Sequence, residues 1–184
     1  MRPTDQLKQE HDAILVMLNV LGKMCGKLDA GERVNPEHLE QTVGFLKGFA
    51  DKCHHYKEEI LLFPAMEQAG FPKEAGPIAV MLTEHTAGRN YVRQMSEGMS
   101  RYKLGDQQSA SAIVKAAKGY IELLTAHIDK ENNVLFPMAE MHLSEEKQRE
   151  LEREFDRVEN EVIGVGKHEE YHRMMKNLRT IYGG

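Results

Sequence analysis

Several common features are absent from this chain of 184 residues, and each absence excludes something. It has no tryptophan and only two cysteines, Cys25 and Cys53, which make no C-x-x-C pair and are too few for a disulfide framework, so we expect free thiols. There is no basic tract, and the net charge is −5, so nucleic acid is not an expected partner. No signal peptide and no run of about 18 apolar residues is present, so we expect a cytoplasmic protein without a membrane partner.

Strand signals are also missing, because β-branched residues are sparse and no useful alternation of apolar and polar residues occurs. Instead, apolar residues recur at steps of three and four in four long segments before Pro137 and in two shorter ones after it. This pattern predicts an all-α protein. Residues 1–142 would form an antiparallel up-down-up-down four-helix bundle. Residues 143–184 would form a two-helix extension that packs on the bundle or on a partner subunit, with the oligomeric state left open.

The two halves of the predicted bundle repeat one another. The stretches "CHHYKEEILLFP" (53–64) and "AHIDKENNVLFP" (126–137) align on their Phe-Pro pairs, which sets His54 against His127 and Glu58 against Glu131. Upstream, "QEHD" and "TEHT" each carry a histidine at a similar distance, 43 and 42 residues before the later one. The sequence therefore predicts an internal duplication of two helix-pair units, at about residues 5–68 and 78–141.

The repeated residues carry the chemistry of a metal site. Histidine and glutamate four positions apart lie on the same helix face, so both pairs would project into the bundle together. Buried carboxylates that lie close together need a counter-charge, and a pair of cations supplies one. Imidazole with carboxylate suits iron, and zinc remains an alternative. One inward histidine is more often a hydrogen-bonded core residue, but six residues in repeated register favour metal binding. The six predicted ligands are His11, His54, Glu58, His85, His127 and Glu131.

These motifs resemble those of the hemerythrin-like, or HHE cation-binding, family over about residues 5–140. The resemblance implies a four-helix bundle that holds a non-haem di-iron centre, with a bridging oxygen species and two glutamate bridges, Glu58 and Glu131. It also implies a pairing of the histidines, in which His11 and His127 bind one iron and His54 and His85 bind the other. A ferritin-like di-iron bundle is a poorer match, since it expects E-x-x-H spacing.

One position departs from the oxygen-carrying members of the family. They have a further histidine one turn after the third-helix ligand, where this chain has Arg89. The four-histidine set is closer to relatives associated with nitrosative stress and the repair of iron–sulfur centres. Further ligands could come from the extension, where His168, His172 and Glu161 are the candidates. We interpret His55 and Glu59, which adjoin predicted ligands, as solvated or supporting groups.

Two kinds of function follow from the resemblance. In the first, the protein binds dioxygen, nitric oxide or a peroxide at an open iron position, for sensing, storage or scavenging. In the second, it donates iron or reduces nitric oxide or peroxide, in the repair of iron–sulfur centres under oxidative or nitrosative stress. No reductase domain is recognisable in the sequence, so electrons would come from an external donor. The residues alone leave open whether the protein is an enzyme.

Overall fold

The computed structural model describes residues 1–183, which contain no β-strand, so the all-α prediction is confirmed. The described residues form six helices: α1 (Pro3–Asp29), α2 (residues 36–68), α3 (Gly76–Lys103), α4 (residues 109–142), α5 (residues 145–164) and α6 (Lys167–Tyr182). Helix α2 begins as predicted, because the Asn35 side chain accepts a hydrogen bond from the backbone N–H of Glu37 and Pro36 is the first helical residue. None of the helices in residues 1–183 is long and apolar enough to cross a bilayer.

Helices α1 to α4 form an antiparallel bundle. Between α2 and α3, Lys47 Nζ lies 2.8 Å from Ser96 Oγ, while Lys103 Nζ lies 2.9 Å from Glu40, so residue numbers rise on one helix as they fall on the other. The same opposed register relates α1 to α2, α3 to α4, and α4 back to α1. The chain therefore has the predicted up-down-up-down topology.

Helices α2 and α4 each widen into a π-helical turn at the same place in the repeat, at Glu58–Leu62 and Glu131–Leu135. In both turns the backbone N–H five residues after the glutamate donates to the carbonyl of that glutamate. A proline follows one residue later; it has no N–H, and its ring crowds the carbonyl four residues before it, which the wider turn relieves. Leu46–His55 of α2 is also π-helical, so its consecutive side chains are separated by a smaller angle than on an α-helix.

Two apolar cores close the bundle on either side of a polar layer. The first core includes Met17, Leu21, Phe45, Phe49 and Tyr120, and the second core includes Leu7, Leu62, Phe63, Phe136 and Phe155. On α1, for example, His11 lies between Leu7 of the second core and Ala13 of the first core. The polar layer is therefore shielded from water at both ends.

The extension packs on the bundle and adds side chains to both cores. Phe155 of α5 is fully buried in the second core, and Leu178 of α6 is fully buried in the first core. Helix α6 lies along α2, where Gly48 leaves the space that Tyr171 occupies, since a Cβ at that glycine would overlap the tyrosine hydroxyl. At the other end of the same contact, His38 Nδ1 lies 2.7 Å from the hydroxyl of Tyr182.

Candidate metal centre

The structure brings the six predicted ligands together in the polar layer of the bundle, and each is at most 1 % exposed. They form two groups, within each of which the ligand atoms lie within 4.8 Å of one another. The first group, here called the first position, contains His11, His54, Glu58 and Glu131. The second group, here called the second position, contains His55, Glu58, His85 and His127.

Each glutamate of the layer extends one carboxylate oxygen towards each position. Glu58 Oε1 lies 3.4 Å from His54 Nε2, and its Oε2 lies 3.4 Å from His85 Nε2. Glu131 Oε2 lies 3.1 Å from His11 Nε2, and its Oε1 lies 3.2 Å from His127 Nε2. Both carboxylates are therefore oriented as groups that could bridge two metal ions.

The pairing of histidines implied by the resemblance is wrong. The ring centroids of His11 and His54 are 4.5 Å apart, and those of His85 and His127 are 4.8 Å apart, so each position takes its histidines from one helix-pair unit. The register of the helices explains this arrangement. Within a unit the two histidines lie at the same level, whereas between units a histidine lies level with a glutamate, as His11 does with Glu131.

A hydrogen bond fixes the Nδ1 atom of every histidine in the two groups. The Nδ1–H of His11 donates to Asn132 Oδ1 (2.8 Å), that of His54 to Glu10 (2.8 Å), that of His85 to Glu59 (2.7 Å), that of His127 to Glu84 (2.9 Å) and that of His55 to Asp51 (3.3 Å). Carboxylate and amide oxygens accept these hydrogen bonds, so each imidazole, when neutral, carries its proton on Nδ1 and has a free lone pair on Nε2. Such a partner is the usual support of a metal-binding histidine.

Most atoms that face the centre lack hydrogen-bond partners. The Nε2 atoms of His11, His54 and His55 and both oxygens of Glu58 and Glu131 are buried without one. The Nε2 atoms of His85 and His127 lie 3.1 Å apart, within hydrogen-bond distance of each other. Buried polar atoms are normally paired, so this convergence of lone pairs and carboxylates fits metal ions and little else.

Electrostatics within the layer follow from burial and from these contacts. Burial lowers the pKa of His54 to about 3 and that of His55 well below its usual range, so both imidazoles are neutral. Burial acts against protonation of His85 too, but the neighbouring Glu58 and Glu59 carboxylates raise its pKa to about 9. A proton on this histidine thus balances carboxylate charge in the metal-free protein.

Charged residues outside the two groups neutralise the supporting carboxylates. At the first position Lys57 lies 2.5 Å from Glu10 and 2.7 Å from Glu159 of α5, and its side chain is fully buried. At the second position Lys130 pairs with Glu84. Burial would raise the pKa of Glu84, but hydrogen bonds from Lys130 and His127 hold it below its usual value.

Arg89 joins two further supporting carboxylates of the second position. Its guanidinium lies 2.8 Å from Asp51 and 2.7 Å from Glu59, which hold His55 and His85 respectively. Burial would raise the pKa of Asp51, but hydrogen bonds to His55 and Arg89 lower it to about 2. Arg89 therefore acts on the second position through the groups that orient its imidazoles.

The predicted ligands of the extension are not brought into either group. His168 and His172 lie together on α6, with their Nε2 atoms 2.8 Å apart, and neither belongs to either position. Glu161 is exposed and forms an ion pair with Arg157 at 3.8 Å. Glu159, which the sequence did not single out, is the residue of α5 that reaches the support of the first position.

Of the two alternatives that the sequence left for His55, a solvated or a supporting group, the structure excludes the first, because His55 is only 4 % exposed. Its ring stacks on that of His85, with centroids 3.9 Å apart. A cavity of about 260 Å³ adjoins it, between α2, α3 and α4, and Arg89, Gly88 and Tyr120 are among the residues that line it. The signal for this residue was present in the sequence as a doubled histidine in one half of the repeat.

Comparison with known proteins places the chain in a family. The family description "hemerythrin HHE cation binding domain" matches residues 2–139. The chain belongs to this family. It is 31 % identical to the iron–sulfur cluster repair protein YtfE of Edwardsiella ictaluri over 134 residues, which are 71 % of this chain and 60 % of that protein. The protein of that name from Yersinia pestis (strain Pestoides F) is 36 % identical over 89 residues, which are 47 % of this chain and 40 % of that protein.

An uncharacterized protein of Mycobacterium bovis is 23 % identical over 160 residues, which cover 87 % of this chain and 62 % of that protein. The chain thus spans less than two thirds of the length of each of these relatives. No solved structure matches the chain significantly. Family membership implies iron binding, and the buried histidine and glutamate groups are residues that could provide it.

Proposed function

We propose that the chain holds two iron ions, one at each position, bridged by Glu58 and Glu131. The observation that carries the proposal is the orientation of these two carboxylates, each of which extends one oxygen to a histidine of each position. Imidazole and carboxylate together suit iron, and bridging carboxylates hold ions about 3.5–4 Å apart. His11 and His54 would bind one ion, and His85 and His127 would bind the other.

We further propose that the centre binds dioxygen, nitric oxide or a peroxide. Two imidazoles and two carboxylate oxygens give each ion four protein donors, and such incomplete ligation leaves open positions for a small ligand. Bound iron would supply the redox-active ligand-binding chemistry. The chain itself excludes water with its two apolar cores, and the supporting carboxylates keep the imidazoles in the metal-binding tautomer.

The test is the visible spectrum of protein that is loaded with iron and reduced without air. Exposure to air, nitric oxide or hydrogen peroxide should each be tried on separate samples. The expected result is a new absorption band with at least one of them, and for dioxygen a band that disappears when the gas is removed. Iron-loaded protein whose spectrum responds to none of the three would overturn the proposal of ligand binding.

A second candidate function is the repair of iron–sulfur centres, either by iron donation or by reduction of nitric oxide or peroxide. It is favoured by the identity of 31–36 % to proteins named for that repair. The iron-loaded protein would be mixed with a separate protein whose iron–sulfur cluster has been damaged by nitric oxide, in the presence of an external electron donor. Transfer of iron, or catalytic loss of nitric oxide, supports this function. Retention of iron with reversible ligand binding supports the first.

A further inference from the structure

The second position contains more imidazoles than the repeat requires. His85 and His127 are the histidines that the repeat supplies there, and His55 is a third. Arg89 lies one turn after His85 on α3. A guanidinium remains protonated and has no lone pair for a metal, so Arg89 adds no ligand there.

His55 has the geometry of a ligand. It offers a ring nitrogen within 4.8 Å of the ligand atoms of Glu58, His85 and His127. Its Nδ1–H points to Asp51 at 3.3 Å, while its Nε2 is buried and has no hydrogen-bond partner. A histidine that served only as packing would leave this buried nitrogen unsatisfied, which is unfavourable.

The support of His55 matches that of the other candidate ligands. Asp51, which accepts its hydrogen bond, is itself held by Arg89, which also holds the carboxylate behind His85. Arg89 therefore fixes the partners of two imidazoles. His55 thus has the hydrogen-bonded support that is usual for a metal-binding histidine.

His55 is present in only one half of the repeat, and it therefore makes the two positions different. The alignment that sets His54 against His127 sets His55 against Ile128, which is buried among apolar residues of the first core. The first position thus has no counterpart of the extra imidazole. The difference is local, because the neighbouring ligands in the two stretches are the same residue types.

We propose that His55 is a ligand of the metal ion at the second position, an inference that rests on the proposed di-iron centre. Three imidazoles then serve the second position and two serve the first. With the two bridging carboxylates, the second ion has five protein donors and the first has four. The small ligand would therefore bind at the first position, beside His11 and His54.

The test compares metal binding by the full chain and by two variants, His55→Ala and His55→Gln. Anaerobic titration with cobalt(II), whose visible spectrum reports coordination number, should show two ions in all three proteins. We expect the affinity of one of the two ions to fall by more than about tenfold in both variants, with a changed cobalt spectrum, since loss of even a supporting group costs about that much. Ile128→Ala, the repeat-equivalent substitution, is the control and should leave the spectrum unchanged.

Free imidazole sharpens the test, because the cavity next to His55 gives it a path to the space left in His55→Ala. Added imidazole should restore the wild-type cobalt spectrum in that variant and have no effect on His55→Gln, whose side chain fills the space. Two bound ions with unchanged affinity and spectrum in both His55 variants would overturn this inference alone. Failure of the wild-type chain to bind two ions would overturn the di-iron proposal on which it rests.

Discussion

The first and second positions of the polar layer are built alike but have different surroundings. Each has a glutamate that holds a histidine and a lysine that neutralises the glutamate: Glu10, His54 and Lys57 at the first position, and Glu84, His127 and Lys130 at the second. Lys57 is fully buried, whereas the side chain of Lys130 is 41 % exposed. The same sequence pattern thus gives a buried lysine–glutamate pair at the first position and a partly exposed pair at the second position.

The extension causes this difference. Helix α5 covers Lys57 with the ring of Phe155, whose centroid is 5.6 Å from the ammonium, and adds Glu159 as a second carboxylate partner. Nothing in the extension contacts Lys130 in this way among the residues that the structure describes. Helix α5 thus supports the first position through charge, and none of its residues is in the group His11, His54, Glu58 and Glu131.

The largest expected effect is on metal binding, because the two positions share the carboxylates of Glu58 and Glu131. Glu58→Ala and Glu131→Ala should each weaken the binding of both ions by more than about a hundredfold, because each removes a carboxylate that spans the two positions. Metal content after desalting, measured by elemental analysis, is the readout, and circular dichroism should show that the bundle remains helical. Retention of two ions per chain in either variant would contradict its assignment as a bridge.

The next largest effect is on stability, and it distinguishes the buried Lys57–Glu10 pair from the partly exposed Lys130–Glu84 pair. Lys57→Met leaves Glu10 buried without its closest counter-charge and should lower the free energy of unfolding by about 3 kcal/mol. Lys130→Met removes a partly exposed ion pair and should cost less than about 1 kcal/mol. Urea unfolding of the metal-free proteins measures both. Equal losses of unfolding free energy in the two variants would mean that the extension does not make one lysine–glutamate pair stronger than the other.

The smallest effect tests which glutamate of α5 interacts with the residues of the first position. Glu159→Gln weakens the hydrogen bonds that Glu159 accepts from Lys57 and Gln6 and should cost about 1 kcal/mol of unfolding free energy. Glu161→Gln, two positions along, alters an exposed side chain and should stay within about 0.5 kcal/mol. Both variants should keep their full metal content. Loss of metal in Glu161→Gln alone would restore the original prediction that this residue is a ligand.

Much of this architecture could be predicted from sequence, because the repeat constrains it twice. Helical spacing fixes which residues share a face, and the shared register of the two halves then selects the same six from many inward positions. The repeat also contained an unused signal for the supports. A glutamate precedes both His11 and His85, and a lysine follows three residues after both His54 and His127.

Two features could not be predicted from residue spacing: the burial of His55 and the contact of Glu159 with Lys57. On an ideal α-helix a residue next to a ligand is turned about 100° away, which made His55 look peripheral. The π-helical stretch that ends at His55 reduces that angle and lets two adjacent histidines face the interior. Glu159 could not be selected over Glu161 either, since the choice depends on how α5 packs across the bundle.

The most direct test of the central claim is the number of iron ions that one chain holds. Native mass spectrometry of the wild-type protein, loaded anaerobically with iron(II) and desalted, resolves chains with no, one or two ions. A centre bridged by Glu58 and Glu131 predicts that the chain with two irons is the main species at saturating iron. A main species with one iron or none under the same conditions would contradict the two-ion centre.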